Sequence, residues 1–137
     1  MPVERFLDTN ILLYGYDLDA PEKRAIAQSL IEDAWLLPGR TAISVQVLQE
    51  FHVNFRRQGH SAAEATALLG DFCQWPVIDN TLAVFRLGLS FQTRWQLSLW
   101  DAMILAAARI SGARELLTED LNHGQDYDGL RVLNPFR

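Results

Sequence analysis

Apolar residues along this chain fall into short runs and helical stripes, separated by proline, glycine and small polar residues. Residues 3–7 form a short strand candidate that ends at Asp8, with room for a short helix at Ile11. Pro21 suits the first turn of a helix reaching about Trp35, because Ile26, Leu30, Ile31, Ala34 and Trp35 recur at helical spacing. Pro38-Gly39 breaks the pattern. Residues 41–44 predict a second strand, and Ser44 can cap a helix through about Gln58. On that helix Val47, Leu48, Phe51 and Phe55 make the apolar stripe, while Gln46, Glu50 and Asn54 share another face at i, i+4 spacing.

Ser61 and Glu64 form a capping box for a helix to about Gln74. Residues 76–78 predict a third strand, and a helix follows over roughly 82–93. Ser98 is placed to cap a helix over 99–110 that Gly112 ends. Residues 115–118 and 130–133 predict the last strands. Strands alternating with helices imply an α/β domain built on a central, mostly parallel sheet. In such sheets ligands sit outside the carboxyl ends of the strands, which is where Asp8 and Asp120 fall.

A length of 137 residues fits one domain, and 49% apolar residues is ordinary for a globular chain. No internal disulfide is available to the single cysteine, Cys73, whose flanks Leu68, Leu69, Phe72 and Trp75 predict a buried thiol. Two acids among the first eight residues argue against a signal peptide, and no stretch reaches the ~18 apolar residues of a membrane span. A cytoplasmic location is expected, away from any membrane. The net charge of −5 argues against broad electrostatic binding to nucleic acid. It leaves room for an enzyme whose own acids are offset by bound divalent cations.

Four carboxylates stand out by context: Asp8 in Phe-Leu-Asp-Thr-Asn, Glu50 between Gln46 and Asn54, Asp101 in Leu-Trp-Asp-Ala-Met, and Asp120 in Leu-Thr-Glu-Asp. Mg²⁺ and Mn²⁺ prefer carboxylate and water oxygens, and phosphodiester hydrolysis uses such cations. Two like charges ~5 Å apart at an effective dielectric of about 20 repel by roughly 3 kcal/mol, so a real cluster implies bound metal or raised carboxylate pKa values. Each acid also has a plainer reading. Asp8 suits a helix cap, Glu50 a solvent-facing helix position, Asp101 a capping-box partner of Ser98, and Glu119-Asp120 an exposed turn.

Taken in order, these segments resemble the PIN-domain family. Phe-Leu-Asp8-Thr9-Asn10-Ile-Leu-Leu-Tyr is similar to the family's opening strand and first acid, and Ser44-Val-Gln-Val-Leu-Gln-Glu50-Phe to the helix carrying the second. Leu99-Trp100-Asp101-Ala102-Met-Ile-Leu-Ala-Ala-Ala is similar to the third acidic segment and Leu117-Thr118-Glu119-Asp120-Leu to the fourth. The tail, through Asn-His-Gly-Gln to Leu-Asn-Pro-Phe, resembles the VapC toxins of type II toxin–antitoxin systems.

That resemblance implies one PIN domain over residues 1–137 and an endoribonuclease dependent on Mg²⁺ or Mn²⁺. It also implies a VapB-type antitoxin, an RNA substrate and a homodimer. Carried over, Asp8, Glu50, Asp101 and Asp120 are the catalytic metal ligands, supported by Thr9, Asn10, Thr118 and Glu119. Arg56, Arg57 and His123 are candidate RNA contacts, although cations at a helix end equally complement its dipole. Residues 35–37 are read as core or as an antitoxin groove, and the scattered Trp and Phe residues as core.

Competing readings are a phosphotransfer receiver domain, a haloacid-dehalogenase-type phosphatase and a non-catalytic interaction domain on the same scaffold. The first two need a lysine beside the phosphoryl group. Lys23, the chain's single lysine, lies in an early helix where solvent exposure is expected. Phosphate-cradling glycine motifs and zinc-finger spacing are absent.

Overall fold

The structure is a computed structural model and describes residues 2–137. Its elements run β1 (Arg5–Leu7), α1 (Thr9–Tyr14), α2 (Pro21–Leu36), β2 (Thr41–Ser44), α3 (Val45–Arg57) and α4 (Ala62–Phe72). The chain continues through β3 (Val77–Ile78), α5 (Leu82–Trp95), α6 (Leu99–Ser111), β4 (Glu115–Leu117), β5 (Asp126–Tyr127) and β6 (Leu130–Leu133). The six strands form a sheet in the order β3-β2-β1-β4-β6-β5, parallel throughout except where β5 pairs antiparallel with β6. The expected α/β fold with a mostly parallel sheet is the one observed.

Strand order fixes where a ligand can enter. From β1 the chain winds outward to β2 and β3, then returns to place β4 on the other side of β1. This reversal of strand order about β1 opens a crevice at the carboxyl ends of β1 and β4. Asp8 follows β1 directly, and Thr118 follows β4.

Burial holds the scaffold together. Phe6, Leu7, Ile11, Leu12, Ile43, Phe51, Leu105 and Leu116 are fully or almost fully withdrawn from water. Each such side chain contributes about 1.5–3 kcal/mol relative to exposure. The predicted caps are present: Ser44, Ser61 and Ser98 accept from the backbone N–H groups of Val47, Glu64 and Asp101, and Gly112 at φ +84° ends α6. Helices α5 and α6 approach closely at Gly88, where an added Cβ would lie 2.6 Å from Met103 Sδ.

Several expectations are corrected. Cys73 is exposed, because Phe72 and Trp75 turn inward on either side of it at the end of α4. Trp35 and Leu36 are 42% and 70% exposed, so the last turn of α2 runs past the core. Trp100 is 65% exposed and Phe85 41%, which removes both from the core. The two-residue strand β5 was not anticipated. Asp128 and Gly129, at φ +56° and +89°, make its tight turn into β6, as Asp-Gly does in two-residue hairpins.

Candidate active site

Asp8 is where the sequence places two roles on one residue, and it performs the cap while sitting inside the crevice. Its Oδ1 accepts from the Thr9 backbone N–H at 2.7 Å, capping α1, and its Oδ2 accepts from the Thr118 hydroxyl at 2.7 Å. The backbone N–H of Asp8 donates to the Leu117 carbonyl at 3.1 Å, stitching β1 to β4. Both hydrogen bonds to the carboxylate favour its charged form, yet burial outweighs them. Loss of water, with smaller additions from Asp120 and Glu50, pushes the Asp8 pKa from 3.8 up to about 7.

Thr9 links two acids: its backbone N–H serves Asp8 and its hydroxyl donates to Glu50 Oε1 at 2.6 Å. The Gln46/Glu50/Asn54 face of α3 is used as a unit. Gln46 Nε2 donates to Glu50 Oε2 at 3.1 Å and to the Trp100 carbonyl at 3.0 Å, so one amide joins α3 to the first turn of α6. Asn54 Nδ2 donates to the Glu50 carbonyl at 2.8 Å. Asp101 occupies that first turn, its backbone N–H donating to Ser98 Oγ at 3.1 Å. Partial burial raises its carboxyl pKa, the Ser98 hydroxyl lowers it, and Glu50 raises it again.

Asp120 is the most exposed of the four. Its Oδ2 accepts from Asn10 Nδ2 at 3.0 Å, and its backbone N–H donates to Thr118 Oγ1 at 3.1 Å. Desolvation raises its pKa most, followed by the charges of Asp101, Glu119 and Glu50. The structure therefore brings Asp8, Glu50, Asp101 and Asp120 into one mutually repelling set, with Thr9, Asn10 and Thr118 bonded to it. Among the described residues none of the four acids pairs with a Lys, Arg or His.

The set is not a closed ligand shell. Among the described residues, no three His, Cys, Asp or Glu side chains lie close enough together to hold a metal ion in their present rotamers. Its donor chemistry nonetheless fits a hard divalent cation such as Mg²⁺ or Mn²⁺, being all carboxylate oxygen with amide and hydroxyl support. Repulsion uncompensated by any basic side chain is what a cation would relieve.

Other predicted residues stand elsewhere. Glu119 turns away from the four and toward Tyr14 and Lys23. Lys23 is thus not simply solvated; it pairs with Glu119 at 3.0 Å. Its pKa is raised by that bond and by one to Tyr14, whose own phenol is pushed up by Glu119. Arg56 and Arg57 are exposed at the end of α3, about 10 Å along the helix from Glu50. His123 is exposed, and its Nδ1 accepts from the Asn134 backbone N–H at 2.9 Å. Neither group reaches the acids. Tyr14 was missed from the sequence because nothing in Leu-Leu-Tyr signals a partner 105 residues away.

Comparison with known proteins agrees with the fold. The chain is 29% identical to Ribonuclease VapC24 of Mycobacterium tuberculosis over 141 aligned positions, covering 94% of each. A toxin–antitoxin complex from Klebsiella pneumoniae superposes with a TM-score of 0.70 at 23% identity, covering 96% of this chain and 98% of that one. VapC20 of Mycobacterium tuberculosis, a sarcin–ricin loop cleaving toxin, gives 0.64 at 17% identity over 82% and 87% of the two chains. VapBC2 from Rickettsia felis, bound to a DNA fragment from its promoter, gives 0.68 at 18% identity over 95% and 97%. Residues 5–125, which span β1 through the turn after β4, match the PIN domain profile, and on that match the chain belongs to the PIN domain family.

Proposed function

We propose that this chain is a cytoplasmic, divalent-cation-dependent endoribonuclease, the toxin half of a type II toxin–antitoxin pair. The observation that carries it is the convergence of four uncompensated acids at the switch-point crevice, one of them buried with its pKa pushed to about 7. Burying Asp8 beside Glu50 and Asp120 raises its pKa despite two hydrogen bonds, a cost that a bound cation would offset. Likeness to Ribonuclease VapC24 over nearly the full chain supports ribonuclease activity.

Asp8, Glu50, Asp101 and Asp120 would hold Mg²⁺ or Mn²⁺, with Thr9 and Thr118 fixing the carboxylates and Asn10 steadying Asp120. When bound, the cation supplies Lewis-acid stabilisation of charge on the scissile phosphate. Asp8, withdrawn from water and hydrogen-bonded at both oxygens, presents a fixed anchor. Glu50 is held at both oxygens too, by Thr9 and Gln46, which sets its distance from Asp8. Asp101 and Asp120 are more open to water than Asp8, on the side from which substrate would approach.

A chain of net charge −5 cannot rely on phosphate attraction alone to hold RNA. Trp100, exposed and next to Asp101, offers a ring on which a base can stack, an interaction worth about 1–3 kcal/mol. Arg56 and Arg57 suit phosphates farther from the cut. A VapB-type antitoxin and a second copy of the chain are the expected partners. Solved toxin–antitoxin relatives of the same fold support the first, and exposed Trp35 and Leu36 offer apolar surface for it.

The test is cleavage of structured RNA with Mg²⁺ or Mn²⁺ and with EDTA, comparing wild type with Asp8→Asn and Asp101→Asn. Cation-dependent cutting lost in both variants is expected. RNA binding without cutting by the wild type under any cation would replace the enzyme with a non-catalytic interaction domain.

A further inference from the structure

Glu119 sits next to Asp120 in sequence but belongs to a different set of contacts. Its Oε1 accepts from the Tyr14 hydroxyl at 2.7 Å, and its Oε2 accepts from Lys23 Nζ at 3.0 Å. Lys23 Nζ also donates to the Tyr14 hydroxyl oxygen at 3.2 Å, so three side chains close a ring of hydrogen bonds. The same ammonium lies 4.6 Å from the Tyr14 ring centroid and 5.4 Å from that of Phe136, while the two rings meet edge-on at 5.0 Å. Four segments thus meet here: α1, α2, the turn after β4, and the chain following β6.

We propose that Lys23 is a positioning residue that holds Glu119 out of the candidate cation site, so that the site operates with four carboxylates instead of five. This rests on the cation site proposed above. Two features of the ring point this way. Glu119 is close enough to act on Asp120 electrostatically, yet both of its oxygens are engaged by Tyr14 and Lys23. Its cationic partner is the one lysine of a chain that otherwise carries its positive charge on arginine. A compact ammonium with three rotatable donors can reach the phenol and the carboxylate together while lying near two rings.

Four acids already repel one another without a basic partner, and a fifth would deepen that field. Extra negative charge tightens cation binding, but it also takes up coordination positions that a phosphate oxygen needs. Lys23 therefore trades cation affinity for an open site. Removing its ammonium leaves Glu119 held by the Tyr14 hydroxyl alone, and the freed Oε2 can then turn toward Asp120.

Calorimetric titration with Mn²⁺ alone tests this without measuring cleavage. Lys23→Met is expected to bind Mn²⁺ about five-fold more tightly than wild type, the scale of one added charge near the site. Lys23→Met combined with Glu119→Gln returns to wild-type affinity. Arg24→Met, which removes the same charge one position along α2, stays at the wild-type value, because Arg24 lines a different cavity with Tyr16, Gln28 and Glu64. Melting in EDTA identifies any variant that fails to fold, and Lys23→Gln, which removes the same charge, then stands in for Lys23→Met with the same tightening expected. Unchanged or weaker binding in a folded Lys23→Met, or an equal gain in Arg24→Met, overturns the assignment while leaving the cation site intact. No Mn²⁺ uptake by the wild type overturns both.

Discussion

Asp8 and Glu119 lie at the same end of the sheet, and the fold treats them in opposite ways. Glu119 is half out of solvent and receives a phenol and an ammonium, so its charge is answered locally. Asp8 is buried, receives only a neutral hydroxyl and a backbone N–H, and faces two more acids. Neutral donors stabilise a carboxylate but do not cancel its charge, which is why burial wins at Asp8 and its pKa climbs to about 7. The contrast separates an acid whose charge is answered inside the protein from one left uncompensated, the condition that the proposed cation would meet.

The largest expected effect comes from erasing the unanswered charge. Asp8→Asn should lower Mg²⁺-dependent RNA cleavage by more than about 100-fold, beyond the loss typical of a supporting residue. The same change should raise the melting temperature in EDTA, a combination that separates a functional acid from a structural one.

Next in size is a pH effect on the metal-depleted protein. The Asp8 pKa rises from 3.8 to about 7 on folding, so the folded chain keeps a proton that the unfolded chain releases across that interval. Stability is therefore lost as pH climbs from 4 to 7, by at most a few kcal/mol at about 1.4 kcal/mol per unit. Thermal melting in EDTA should give a higher midpoint at pH 5 than at pH 8, with Mg²⁺ restoring part of the difference. A flat profile shared by wild type and Asp8→Asn would contradict the origin assigned to the shift.

Smaller changes sharpen the comparison. Thr118→Val removes the hydroxyl donated to Asp8 Oδ2 and should cost roughly 10–100-fold in cleavage, the range seen for groups that orient ligands. Trp100→Ala should weaken RNA binding by about 1–3 kcal/mol, measured by fluorescence anisotropy, while melting stays unchanged because the ring is exposed. Arg56→Gln with Arg57→Gln should have the least effect, visible mainly as a shallower salt dependence of RNA binding.

Local pattern carried the scaffold and two of the four acids far. Strand ends placed Asp8 and Asp120 at the carboxyl edge of the sheet, whereas Glu50 and Asp101 were joined to them only by the resemblance to the PIN-domain family. Contacts set by packing between distant segments did not show. Lys23 and Glu119 are 96 residues apart, and nothing near either one reports the other. Helical stripes likewise predict which face turns inward but not how far the neighbours extend, so Trp35, read as core, packs against Trp75 yet stays 42% exposed. Asp128-Gly129 was a legible hairpin signal, masked by the short run of residues before it.

Both margins of the sheet, β3 and β5, are only two residues long. A strand of that length offers a neighbouring chain almost no backbone groups to bond, so edge-to-edge extension is closed off at either side. What this molecule joins is therefore met by the side chains of its helices and loops, and their complementarity, not shared backbone pairing, decides which companions it accepts.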